Sequence, residues 1–139
     1  MSRQLNLHIL PGHYAIARLS PDQPFPAWAD GPGFVSISRS EDELSIVCLQ
    51  ARIPAGQQRS PDWACLKLAG PFAFDETGII AAVINPLSAA GLGVFVVSTY
   101  DGDHLLLKQA DMVQARNLLT TAGHTLTAHA ANVATKSCG

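Results

Sequence analysis

Val94-Phe95-Val96-Val97-Ser98-Thr99-Tyr100-Asp101-Gly102-Asp103-His104-Leu105-Leu106-Leu107-Lys108 is the stretch that decides the fold. Its first four residues form an unbroken apolar run between Gly93 and Ser98, as expected of a strand buried on both faces. Asp101-Gly102 is a hairpin signal, and residues 104–108 are the returning strand. Upstream, residues 63–68 read as a short apolar strand closed by Gly70-Pro71, and Phe72 and Phe74 continue the apolar pattern. Ile79, Ile80, Val83, Ile84 and Leu87 then recur at helical spacing, which predicts a helix over residues 77–90. Asp75 or Thr77 would cap its start and Gly91 its end. Pro86 inside it removes a backbone hydrogen bond near Ala82. Downstream, Asp111 stands three residues before Gln114, a capping-box spacing. Val113, Leu118, Leu119 and Ala122 extend that helix over 111–122, Gly123 ends it, and residues 124–127 suit a last short strand.

The order strand, helix, strand, strand, helix, strand is the ferredoxin-like split unit. A shift of about 60 residues lays the first half of the chain on the second. Phe34-Val35-Ser36-Ile37-Ser38 falls on residues 94–98, Glu41 and Glu43 on Asp101 and Asp103, Pro11 on Pro71, and Gly31 on Gly91. The expected class is therefore α+β, with two tandem ferredoxin-like modules. Residues 1–60 form the first with its linker, 61–127 the second, and 128–139 a loosely held tail. The first module is degenerate. Ser20-Pro21-Asp22-Gln23-Pro24-Phe25-Pro26 leaves room for one helical turn at 27–30, and residues 51–62, with Pro54, Gly56 and Pro61, read as a linker in place of a second helix.

The bulk numbers narrow the function classes. Of the 139 residues, 47% are hydrophobic and 14% charged, with a net charge of -2. That is a globular composition without the positive field that nucleic-acid phosphates require. No apolar stretch approaches the roughly 20 residues of a membrane span. Leu5, Leu7 and Ile9 alternate with Asn6 and His8, a strand pattern unlike the core of a signal peptide, so a cytoplasmic location is expected. Cys48 and Cys65 sit within apolar strands and read as core residues, and Cys138 leaves the count odd. The five histidines lack the spacing of a helical metal pair, so neither metal nor cofactor is expected.

Glu43-Leu44-Ser45-Ile46-Val47-Cys48, Asp75-Glu76-Thr77-Gly78-Ile79 and Ser98-Thr99-Tyr100-Asp101-Gly102-Asp103 together resemble the ACT domain. More narrowly, they look like the short tandem-ACT bacterial proteins related to the arginine sensor of the TOR pathway. The resemblance runs from about Glu43 to Leu119. It implies side-by-side modules, a small ligand (usually an amino acid) at the interface between them, and a sensing or regulatory role. Carried over, it singles out Glu76, Thr77, Gly78 and Ile79, with Thr99, Tyr100, Asp101 and Asp103 beside them, and Ser45, Ile46 and Val47 from the other module. Two departures stand out: the first module lacks its first helix, and Gly102 occupies a place where many relatives carry Thr or a larger residue.

The chemistry of these residues suits such a ligand. N–H groups at Gly78 and Ile79, on the first turn of a helix, would donate to a carboxylate, and Gly78 would let it approach. Asp101, Asp103 and Glu76 would take an ammonium or a basic side chain, with the Ser45, Thr77 and Thr99 hydroxyls as neutral partners. Lys67, Arg52 and Lys108 fall on other segments or strand ends. The expected site thus holds acids without a nearby cation and favours a cationic or zwitterionic ligand. An enzyme is disfavoured: no nucleophile elbow is present, and adjacent strand residues Asp103 and His104 would face opposite sides. A protein-interaction module without a small ligand is the alternative. Exposed sheet edges predict a homo-oligomer, a homodimer in the simplest case, and any signal must reach a protein partner that the sequence does not identify.

Overall fold

In the computed structural model, described over residues 4–69 and 78–128, the chain divides into two units. One is residues 12–63; the other joins residues up to 11 with those from 64 onward. The strand closure at Gly70-Pro71, residues Phe72, Phe74, Asp75, Glu76 and Thr77, and the expected tail from 129 onward with Cys138 lie outside the described residues.

In the unit of residues 12–63, strands β2 (Tyr14–Leu19), β3 (Ser36–Arg39) and β4 (Leu44–Leu49) and the first half of β5 (Arg59–Leu68) lie in the order β3-β4-β2-β5. β2 and β4 pair antiparallel from Tyr14↔Leu49 to Leu19↔Leu44. Ala15, Ala17, Leu44, Ile46 and Cys48 form the core with Ala29 and Ile53. Both helices of the split unit are reduced to single 3-10 turns, Ala27–Ala29 and Gln50–Arg52, the first being the one turn that the proline-rich crossover permits. The Arg52 guanidinium braces that crossover, donating to the carbonyls of Trp28 (3.2 Å), Ala29 (3.1 Å) and Pro32 (2.7 Å). The linker expected over 51–62 is shorter than its prolines suggested, since β5 already begins at Arg59. Pro61 is tolerated there because the β2–β5 register shifts between Tyr14 and Ile16, an irregularity at which a ladder N–H is not needed. Asp62 beside it takes a positive φ of 62°. Gln50 holds it from both directions: the side-chain amide donates to the carboxylate and the side-chain carbonyl accepts the Asp62 N–H.

In the other unit the order is β6-β7-β5-β1-β8, from β1 (Asn6–Ile9), the second half of β5, β6 (Val94–Ser98), β7 (Asp103–Lys108) and β8 (Thr125–Ala128). Helices α1 (Ile79–Ala89) and α2 (Met112–Thr121) cover one face. Their core joins Leu5, Leu7, Leu66, Leu68, Val83, Leu87, Leu105, Leu107 and Leu119. Both helices end as the glycines foretold. Gly91 and Gly123 adopt φ of 82° and 100°, and the paired bonds Leu92 N–H to Leu87 O with Gly91 N–H to Ser88 O recur as His124 to Leu119 with Gly123 to Thr120. The starts differ from expectation. Gly78, at φ 79°, is the N-cap of α1. Asp111 makes no capping bond, because the 3-10 turn Gln109–Asp111 runs straight into α2 and leaves its backbone helical, where a capping residue is extended.

Both units are ferredoxin-like in strand order, as the repeat implied, with one exchange. Strand β1, read as part of the first module, pairs antiparallel with β5 (Leu7↔Leu68) and parallel with β8 (Leu7↔Leu126). Its alternating leucines fill the core under the helices. The 60-residue shift matches β3 to β6 and β4 to β7, but it fails upstream because the crossovers, residues 20–35 and 69–93, differ in length.

Candidate functional site

Because Leu66, Leu68, Leu5, Leu7, Leu105 and Leu107 point to the helices, their neighbours project from the sheet's other face. Across that face Thr127 on β8 is in register with His8 on β1, and His8 with Lys67 on β5. The Thr127 hydroxyl and His8 Nδ1 lie 3.0 Å apart. His104, from β7, joins His8 and Lys67 in lining a cleft of about 520 Å³ whose walls also include Leu68 and Ala69. The far wall is the β6–β7 turn: Thr99, Asp101, Gly102 and Asp103.

The turn is a four-residue loop held by its own bonds. Thr99 donates to the Gly102 carbonyl from its N–H (2.7 Å) and its hydroxyl (2.8 Å). The Ser98 hydroxyl donates to the Asp103 carboxylate at 2.6 Å, fixing its rotamer. Gly102 is not among the glycines of positive φ, and a Cβ there would lie 3.7 Å from the Leu68 carbonyl, an ordinary contact. Burial pushes the His104 imidazole down to about 4, helped by the Lys67 ammonium and opposed by Asp103. At neutral pH that ring is therefore uncharged.

Of the residues expected at the site, Thr99, Asp101 and Asp103 meet in this cleft. Tyr100 sits on the same turn but is 79% exposed and does not line it. Gly78 and Ile79 begin α1 and lie outside the lining, with Ile79 in the core. Glu76 and Thr77 lie outside the described residues. Ser45, Ile46 and Val47 belong to the other unit, on a strand paired on both sides, and the side chains of Ile46 and Val47 are buried.

Two expectations are corrected. A cation is present after all: Lys67 lines the cleft, since the apolar positions around it face the helices and leave it the open side. Asp103 and His104 also line it together, because Asp103 is the first residue of β7, at the turn. The alternation in residues 5–9 and the single charge within 63–68 mark His8 and Lys67 as outward-facing. What brings them beside the turn is strand register, which no local pattern carries.

Comparison with known proteins follows the same division. A family model described as the ACT domain matches residues 58–121, and a model of an N-terminal domain matches residues 12–56. A crystal structure of an Agobacterium tumefaciens protein is 56% identical, with a TM-score of 0.88, over 92% of this chain and 96% of that one. The bovine protein named cytosolic arginine sensor for mTORC1 subunit 1 is 31% identical over 99 residues, 62% of this chain. The match spans 30% of the sensor's own length. The regulatory subunit of aspartate kinase from Thermus flavus superposes with a TM-score of 0.59 at 11% identity, covering 87% of this chain and 97% of that one, a likeness of fold.

Proposed function

Because this chain belongs to the ACT-domain family, we propose that it is a regulatory protein that binds a free amino acid and acts through a separate protein partner. The observation that carries this reading is the pair of carboxylates, Asp101 and Asp103, set by one short turn into one cleft. An α-ammonium offers three donors, and two carboxylates can accept most of them. Ser98 keeps Asp103 oriented before a ligand arrives, so less freedom is lost on binding. The name of the bovine relative and the fold shared with a kinase's regulatory subunit point the same way.

A catalytic role has little chemical support. Burial raises both described thiols, that of Cys65 to about 12, so neither is a thiolate at neutral pH. Among the described residues no helix is long and apolar enough to cross a membrane. Among the described residues strand β6 pairs only with β7, and it carries Val94-Phe95-Val96-Val97 without a charge or proline. Edges of that kind invite a second strand, so the homodimer expected from the sequence stands as part of the proposal. Light scattering should return twice the chain mass of 14.7 kDa, and the single-chain mass would refute the dimer.

Isothermal titration against the twenty proteinogenic amino acids tests the ligand. Losing one charge-assisted bond weakens binding by about 1.5–3 kcal/mol, ten- to a hundredfold. Asp101→Ala and Asp103→Ala should each do so, while the melting point of the empty protein stays within a few degrees. Unchanged affinity in both variants would place the site elsewhere, with Gly78, Ile79 and Ser45–Val47 next to be substituted. No heat from any of the twenty would overturn the amino-acid reading.

A further inference from the structure

The acidic turn accounts for one end of an amino acid; the other end is a carboxylate. Among the described residues, Gly78 and Ile79 at the start of α1, the place the sequence suggested for it, do not line the cleft. His104 does, but its ring is uncharged at neutral pH. Lys67 remains.

We propose that Lys67, with His8 beside it, is the carboxylate anchor of the cleft, and that it makes the site select α-amino acids over the corresponding amines. The inference rests on the amino-acid reading above and adds to it the residue that reads the second charge.

Three observations carry it. First, Lys67 is directed to the open face by the core, since Leu66 and Leu68 on either side of it are buried under the helices. Its partner in the β1–β5 register, His8, shares that face. Second, the cleft holds opposite charges that do not satisfy each other. Among the described residues neither the Lys67 nor the Asp101 side chain has a hydrogen-bond or ion-pair partner, although both line the same cleft. A zwitterion laid between them pairs with both at once. Third, the ammonium is felt inside the cleft: its charge helps to keep His104 from protonating. The contact between Thr127 and His8 adds a ring N–H donor. When the Thr127 hydroxyl donates to Nδ1, the ring hydrogen sits on Nε2.

The test is a two-by-two titration. The most tightly bound of the twenty amino acids and its decarboxylated amine are each titrated into the wild type and into Lys67→Met. Lys67 is exposed, so the variant should keep its melting point. The wild type should bind the amine about ten- to a hundredfold more weakly than the amino acid. Lys67→Met should lose that same factor for the amino acid and nothing for the amine, and Lys67→Arg should keep most of the discrimination. Equal binding of acid and amine by the wild type overturns the assignment, as does an equal loss for both ligands in Lys67→Met. In either case the amino-acid reading survives. Heat from neither ligand in the wild type removes that reading and this inference with it. An independent measurement is the His104 imidazole titration followed by NMR. It should move up in Lys67→Met, and an unmoved titration would mean that the ammonium points away from the cleft.

Discussion

Pro86 lies inside α1 and offers no N–H to the carbonyl four residues back, that of Ala82. His124, 3% exposed, fills the gap: its Nε2–H donates to the Ala82 carbonyl at 2.9 Å, while its Nδ1 accepts the Leu5 N–H at 3.1 Å. One neutral imidazole therefore satisfies two backbone groups, one buried and one part-buried, that have no ladder partner. Replacing it by leucine, of similar volume, strands both. At about 1–3 kcal/mol for each unsatisfied group, His124→Leu should destabilise the protein by about 2–6 kcal/mol, a large share of the roughly 5–15 kcal/mol typical of a domain. Pro86→Ala restores an N–H that can bond the Ala82 carbonyl. In that background His124→Leu strands only Leu5 and should cost about 1–3 kcal/mol. Equilibrium urea unfolding of the four proteins, followed by circular dichroism, gives the coupling directly. If His124→Leu costs the same with and without Pro86, to within about 0.5 kcal/mol, the histidine is not substituting for the missing N–H.

Arg52→Ala should loosen the unit of residues 12–63, since three carbonyls of its crossover lose their donor together; about 2–4 kcal/mol is expected. A melting point within one degree of the wild type would show that water replaces the guanidinium without loss. For His104 the unfolded ring titrates near 6.5 and the folded one near 4, so as pH falls the unfolded chain takes up the proton first. Stability should decline between about pH 6.5 and pH 4, by on the order of 1–3 kcal/mol, and this group should add no further slope below that. His104→Gln should remove this part of the slope in a pH series of urea melts; an unchanged slope refutes the assignment.

The hairpin pairing of residues 94–108 and both helix ends were legible because each rests on a local rule, a turn or a glycine able to take positive φ. The acids of the turn were legible for the same reason. The apolar run 94–97 misled about depth, since β6 is part-exposed and, among the described residues, paired with β7 alone, not buried on both faces. Lys67 was visible as an outward-facing residue but not as a neighbour of Asp101, because that adjacency depends on how β1, β5 and β7 align. Asp111 shows the limit of a local rule. Its spacing to Gln114 is that of a capping box, yet the 3-10 turn before it removes the extended backbone such a cap requires. Residues 59–62 misled in the opposite sense, since Pro61 signals a loop except where the register shifts.

Strand β1 lies far along the chain from the strands that pair with it. Its neighbours β5 and β8 flank it on both sides, and residue 125, opposite Asn6, follows it by 119 positions. At roughly 5–20 residues per second on a ribosome, Leu5 and Leu7 wait on the order of ten seconds for their core. Until β1 docks, the sheet has a gap one strand wide, bounded by two unsatisfied edges. Such a gap admits any strand of suitable alternation, including β1 of another copy, by donor-strand complementation. The insertion of β1 between β5 and β8, which brings His8 to the cleft, thus also equips the sheet for strand exchange between copies.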